Sequence, residues 1–362
     1  MRKDTHPPSA SHGRVLIVTE LLDSWLAFYA RALTDAGYDV TLVSKLDPSV
    51  QEHDHLDVLK YLLPAPFCRV IDLKEKSEIS KVDYDFAIVG LKGSSPLNEK
   101  RQLRDVLGAI PVQAVMLRRY GKRLTDVGRL IAKDVLYPFI RRSPRLLVEA
   151  YREHSWMLRL LAPISPMGIV PHHQMTCLGV PEGLGKQTER KYLFNFLGTY
   201  NTTPPNERTG IIDRLETSHK ISSGTQRLAI GSGTFEIVWH ADRPGTTRER
   251  PLNEYLDTVN DSYFTLCLPG YTVTTHRVWE AIICGSIPVL NADLVPHYCL
   301  PLVHGQNCWL VQNGDWESAL VALSVLNQEK IYEMQSAVKS LALNDASMAS
   351  LEKKSLVLLG LN

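Results

Sequence analysis

The sequence lacks most of the features that would place it in a specialised class. It has no Cys-x-x-Cys pair, and its six cysteines stand apart at 68, 177, 267, 284, 299 and 308. That spacing excludes a zinc-finger framework, and several of the six lie in apolar runs where a thiol acts as a small hydrophobe, so free buried thiols are expected. No apolar run approaches the length a bilayer crossing needs. Residues 1–13 are polar and contain nothing that reads as a signal or anchor, so a reducing cytoplasm is the expected home. The formal charge is only +1, which argues against a chain built to neutralise nucleic-acid phosphates. No short-period repeat stands out. The turn after the first apolar run, Thr19-Glu20-Leu21-Leu22-Asp23, has no glycine, and a nicotinamide dehydrogenase needs a glycine-rich turn there.

What is there suits two ordinary cores. The chain has 362 residues, 44% hydrophobic and 22% charged, and domains typically run to about 100 to 200 residues. Residues 15–18 read as a buried strand, 25–36 as an amphipathic helix closed by Gly37, and 40–43 as a second strand. Strand, helix and strand in so short a span form a βαβ unit, whose right-handed crossover builds a parallel sheet. Apolar runs at 70–73, 86–89 and 112–117 continue the alternation, giving an N-terminal domain over residues 13–162. Residues 163–186 are rich in Pro and Gly and aperiodic, which predicts a linker or a substrate-facing loop. A second alternation follows over 187–341, with strands at 192–197, 228–230, 236–239, 263–268, 287–290 and 309–311. Its helices fall at 206–218, 252–259, 275–284, 316–326 and 329–341. Residues 342–362 make a tail or a helix packing back on the domains. The expected fold class is α/β, two Rossmann-like doubly wound domains in tandem.

Residues 118–159 carry eleven Lys/Arg against four Asp/Glu, on what reads as two helices around Pro138 and Pro144. A solvated helix face explains this; so does a basic surface meeting lipid headgroups at the inner membrane face.

The chemistry concentrates between Ser262 and Leu290, which reads strand, loop, helix, glycine stop, strand. In such units ligands sit at the carboxyl ends of strands, facing loop amides and a helix N-terminus. Gly270 ends the first strand's loop, Thr274 or Thr275 can cap the helix, and the helix dipole there favours a diphosphate. Arg277 in the first turn can bind phosphate oxygens. Glu280, three residues on, shares its face and can accept hydrogen bonds from two ribose hydroxyls. The plain alternative is that Arg277 and Glu280 form only an intrahelical ion pair.

The same segment resembles the exostosin family of glycosyltransferases, whose signature is a strand with Cys and Pro-Gly, then Arg-x-x-Glu-Ala, then Gly-x-Ile-Pro-Val. Here these are Cys267 with Pro269-Gly270, Arg277 to Ala281, and Gly285 to Val289. The resemblance extends to Phe196-Leu197-Gly198, Arg208, Tyr255, Asp293 and Leu300-Pro301-Leu302, and is confined to the C-terminal half. It implies the GT-B fold, in which two Rossmann-like domains face each other across a cleft. It also implies an inverting transfer from a nucleotide sugar, UDP-linked, to a glycan or lipid-linked acceptor, with nucleotide contacts at Arg277 and Glu280. The loop 271–275 departs from the family's small-residue version. The family's animal and plant members carry an N-terminal anchor that is not seen here, so a bacterial or viral relative is expected.

Gly198 to Asn201, following a strand, can form the other lip of the donor site, with Arg208 reaching a phosphate; a plain strand-to-helix turn would look the same. His240 and Asp242 are open to the same two readings. An inverting transfer needs a base for the acceptor hydroxyl. Glu20 and Asp23 follow the first strand at its carboxyl end and are the candidates, although Asp23 can equally cap the next helix. Residues 90–95, after another strand, are a second candidate lip for the acceptor, with Lys92 as a candidate phosphate contact. Asp83-Tyr84-Asp85 looks like the Asp-x-Asp metal motif of the other glycosyltransferase fold, but it precedes its strand and reads as surface charge. No metal and no cofactor beyond the donor are therefore expected. A phage-type DNA glucosyltransferase and an inactive glycan-binding or scaffolding partner remain as competing classes.

Overall fold

The computed structural model describes residues 12–19, 24–44, 68–72, 79, 83–92, 105–120, 145–150, 169–171, 189–200, 207–243, 251–270, 274–298, 300–344, 353, 356–357 and 359–361. It divides into two compact units, Met1–His172 with Glu352–Asn362, and His173–Leu351.

The first unit is a seven-stranded parallel sheet. Its strands are β1 (Arg14–Thr19), β2 (Asp39–Ser44), β3 (Cys68–Asp72), β4 (Phe86–Lys92), β5 (Val112–Tyr120), β6 (Arg145–Ala150) and β7 (Ile169–Pro171). They lie in the order β3-β2-β1-β4-β5-β6-β7. Helix α1 (Ser24–Asp35) makes the first crossover, and Gly37, at φ 90°, takes the left-handed conformation that ends it. Val15, Leu16, Ile17 and Val18 are fully buried, as a central strand covered on both faces must be. Near the chain's end Leu359 is buried, and its carbonyl accepts from Gln113 Nε2 at 3.0 Å.

The second unit holds β8 (Tyr192–Thr199), β9 (Gly224–Ile230), β10 (Gly233–Asp242), β11 (Ser262–Leu266), β12 (Ile287–Asn291) and β13 (Trp309–Val311). Helices α2 (Glu207–His219), α3 (Leu252–Asn260), α4 (His276–Ile283), α5 (Trp316–Ser324) and α6 (Gln328–Asn344) alternate with them. The order is β13-β12-β11-β8-β10-β9, parallel except for β9, which runs antiparallel to β10 at the edge. The two-residue turn Gly231-Ser232, with Gly231 at φ 59°, closes that hairpin. Beyond β8 the chain first builds to one side, β10 and β9, and then crosses to β11 on the other. The topological switch therefore falls between the carboxyl ends of β8 and β11, where open α/β sheets bind ligands.

Three expectations need correction. Residues 145–150 form strand β6 rather than helix, because Leu146-Leu147-Val148 is a short apolar run behind Pro144 that pairs with β5; residues 121–144 and 151–159 lie outside the described residues. The aperiodic segment 163–186 contains β7, whose three residues are too few to show a period. His240 and Asp242 do not follow a strand but lie within β10.

Candidate functional site

Helix α4 is built by local signals. Thr275 is its N-cap, with extended φ/ψ and a hydroxyl accepting from the Arg277 amide. At the other end Gly285, at φ 66°, and Ser286 return their amides to the carbonyls of Ile282 and Ala281 at 2.9 and 2.8 Å. This paired 5→2 and 6→1 closure fixes where the helix stops. Residues Arg277 to Ile282 are all buried, so α4 lies deep against the sheet with two charged side chains inside.

The Thr275 amide donates to the buried Tyr298 hydroxyl at 2.8 Å, and the Arg277 amide is held by Thr275 Oγ1. The helix start is thus largely satisfied by its own protein. Positive charge for a ligand comes from the Arg277 side chain.

That side chain is only 8% exposed. Its Nε donates to Leu197 O at the end of β8 at 2.9 Å, and the guanidinium lies 5.8 Å from the Phe196 ring centroid. Its two Nη groups have no hydrogen-bond partner among the described residues. The intrahelical ion pair with Glu280 is not formed. Instead, Glu280 Oε2 accepts from the Tyr255 hydroxyl, and Oε1 stands 3.8 Å from His276 Nε2. Burial, then the Glu280 carboxylate, hold the Tyr255 hydroxyl well above the ordinary phenol range, so it remains a donor.

Two glycines make room for two arginines. A Cβ at Gly198 would meet Arg277 Nη2 at 2.7 Å, and one at Gly270 would meet Arg208 Nη2 at 2.8 Å. Arg208 Nε donates to Pro269 O at 2.8 Å, and Nη2 to Leu268 O at 3.4 Å. The contacts cross over: Arg208, on the helix after β8, binds the loop after β11, while Arg277, on the helix after β11, binds the end of β8. Gly198, Arg208, Gly270, Thr274, Thr275, Arg277 and Glu280 therefore gather at one strand edge. Beside them Glu207 accepts from Asn291 Nδ2 at 3.1 Å.

Glu20 and Asp23 lie outside the described residues, as do residues 93–95 and 271–273. Lys92 ends β4. Asp85 accepts from the Arg14 amide at 2.7 Å and so ties down the amino end of β1, a structural duty finer than surface charge. Among the described residues no group of three or more His, Cys, Asp or Glu could hold a metal ion, and no helix is long and apolar enough to cross a membrane. Sequence reasoning missed Tyr298, and it met Tyr255 only through the resemblance, because both act on partners remote in the chain.

Residues 168–337 match the Exostosin GT47 domain. None of the curated proteins matches the sequence. Among solved structures, a mutant form of the S. aureus protein TarM in complex with fondaparinux, α-GlcNAc-glycerol and UDP is similar at a TM-score of 0.58 and 8% identity, covering 96% of this chain and 99% of that one. Sucrose-phosphate synthase from Thermosynechococcus elongatus gives 0.53 at 13% identity, over 96% and 98%. The N-terminal domain of Candida albicans trehalose-6-phosphate phosphatase gives 0.53 at 9%, over 99% of each. At such identities the likeness is one of fold, and the fold is GT-B, with two Rossmann-like domains. The C-terminal half of this chain carries an exostosin GT47 domain, and the protein is a glycosyltransferase.

Proposed function

We propose that this glycosyltransferase, with its exostosin GT47 domain as premise, moves a sugar from a UDP-sugar to a glycan or lipid-linked acceptor, with inversion and without a metal ion. The observation that carries the donor half is Arg277, a guanidinium buried at the switch between β8 and β11 with one hydrogen bond from Nε and two Nη groups unpartnered among the described residues. A buried charge left so incompletely paired is costly unless an anion completes it. A diphosphate at the strand ends does so. Arg208, half-buried on the other loop, adds a second cation, and Glu280 lies one turn below to accept the ribose hydroxyls. The UDP bound by TarM supports this nucleotide.

In the transfer, the acceptor oxygen bonds to the anomeric carbon from the face opposite the leaving group, and the bond from that carbon to the diphosphate oxygen breaks. The acceptor proton passes to a carboxylate, which we assign to Glu20, with Asp23 next in line, both following β1 of the N-terminal unit. The charge developing on the diphosphate is met by Arg277, a role that a metal ion fills elsewhere. Contact of residues 118–159 with lipid headgroups, at the inner face of a membrane, belongs to the same reading of the acceptor.

Calorimetric titration with UDP tests the donor site. Each hydrogen bond to a charged group contributes about 1.5 to 3 kcal/mol, so Glu280→Gln should bind UDP at least about tenfold more weakly. Glutamine keeps an acceptor for Tyr255, which Glu280→Ala would leave as a buried, unpaired hydroxyl. Near-normal UDP affinity in Glu280→Gln would remove Glu280 from the site.

A further inference from the structure

Glu280 is a buried carboxylate with two unlike neighbours. On α3, the Tyr255 hydroxyl donates to Oε2 from the interior. On the first residue of α4, half-exposed His276 stands 3.8 Å from Oε1, on the side where the helix begins. The carboxylate has four lone-pair sites, and one hydrogen bond takes one of them. Oε1 has no hydrogen bond among the described residues, and Oε2 has a single one. The two oxygens are therefore inequivalent: one is anchored inward, and the other is left to accept at the end of the helix that carries Arg277.

We infer that Tyr255 is a positioning residue for nucleotide recognition, fixing the Glu280 carboxylate so that its outer oxygen meets a ribose hydroxyl. The inference rests on the donor reading above and deepens it. Without the Tyr255 hydroxyl, Glu280 keeps its charge but can turn about its last torsion, which is broad and soft for a carboxylate. The loss then falls on the ribose and not on the diphosphate, which Arg277 holds through Leu197 and Phe196 independently of Tyr255.

The test compares UDP, 2′-deoxy-UDP and inorganic pyrophosphate by calorimetric titration of the full chain. Wild type should prefer UDP over 2′-deoxy-UDP by about tenfold or more, the size expected for a hydroxyl bonded to a charged acceptor. In Tyr255→Phe that preference should fall below about threefold while pyrophosphate binding stays unchanged. A general loosening of the fold would instead weaken all three ligands together, and that outcome overturns the positioning role. An undiminished preference in Tyr255→Phe overturns the inference and leaves Glu280 at the ribose. A wild type that ignores the 2′-hydroxyl or does not bind UDP overturns the donor reading and the inference together. If Tyr255→Phe does not fold, Tyr255→Gln and Tyr255→Leu, one with a donor and one without, carry the same comparison, and equal preferences in the two overturn it.

Discussion

Replacing Gly198 by alanine probes the site with a single methyl. Gly198 lies in β8 and its φ is not in the left-handed region, so the backbone accepts alanine without strain and the unfolded chain loses freedom, which by itself would stabilise by about 0.4 to 1 kcal/mol. Against this, the new Cβ would sit 2.7 Å from Arg277 Nη2, 3.2 Å from Arg277 Cζ and 2.9 Å from Phe196 Cζ. Phe196 cannot retreat, being fully buried with its ring centroid 4.8 Å from that of Trp239. Arg277 must move and release Leu197 O. Overpacking costs about 1 to 3 kcal/mol and a hydrogen bond to a charged group about 1.5 to 3, so the net loss should be about 1.5 to 5.5 kcal/mol. UDP affinity should fall at least about tenfold with it, since Arg277 no longer points at the strand ends. Gly270→Ala is the control. There the Cβ would meet only Arg208 Nη2 closely, the far end of a partly exposed side chain, with the next atom at 3.9 Å, so stability should change by less than about 1 kcal/mol. Urea unfolding and calorimetry on both variants decide the matter. A Gly198→Ala protein as stable as wild type, or one no weaker in UDP than Gly270→Ala, refutes the argument.

Other outcomes are expected from the same reasoning. Glu20→Gln should lower the transfer rate by about 100-fold to 10,000-fold while UDP binding stays close to wild type; unchanged turnover moves the base to Asp23 or beyond. Transfer should survive EDTA, and full loss of activity restored by manganese would contradict the metal-free assignment. Burial, with Glu280 and Asp257 adding to it and Arg190 opposing, pushes the Cys284 thiol from 9.0 up to about 12. An acid whose folded value is raised favours the native state fully below its unfolded value, and that contribution is lost as pH climbs from about 9 to 12. Stability should therefore fall by roughly 1 kcal/mol at pH 10 through this thiol. Cys284→Ala should flatten the decline in urea midpoint between pH 9 and 11, and an identical slope in the variant would exclude the thiol as its source.

The alternation of strands and helices was legible where its signals are local. Apolar runs at β1, β2, β8 and β12, the Thr275 cap and the Gly285 stop are each contained in a few neighbouring residues. Strands β6 and β7 were not, since three apolar residues beside a proline look alike in a strand and at a helix start. The full length of β9 and β10 escaped because this edge hairpin has exposed, charged positions such as Arg227 and Glu236, which carry no apolar period. At the site, residue types were visible but their partners were not. Arg277 binds a carbonyl 80 positions away and Arg208 one 61 positions away, and no spacing rule reaches that far. Tyr255 and Tyr298 bear on α4 from elsewhere in the chain, where a lone tyrosine has no distinguishing context.

The crossed arginines have a consequence for recombining such enzymes. A segment running from β8 through α2 supplies Gly198 and Arg208, while one from β11 through α4 supplies Gly270 and Arg277. Each segment holds the glycine that the other's arginine needs and the carbonyls on which it rests. Grafting either segment alone from a relative sets a foreign residue opposite a native guanidinium at one contact and a foreign side chain opposite a native glycine at the other, and grafting both preserves each match. The two halves of the site are heritable only as a pair, so chimaeras should be cut outside residues 192–283 rather than within them.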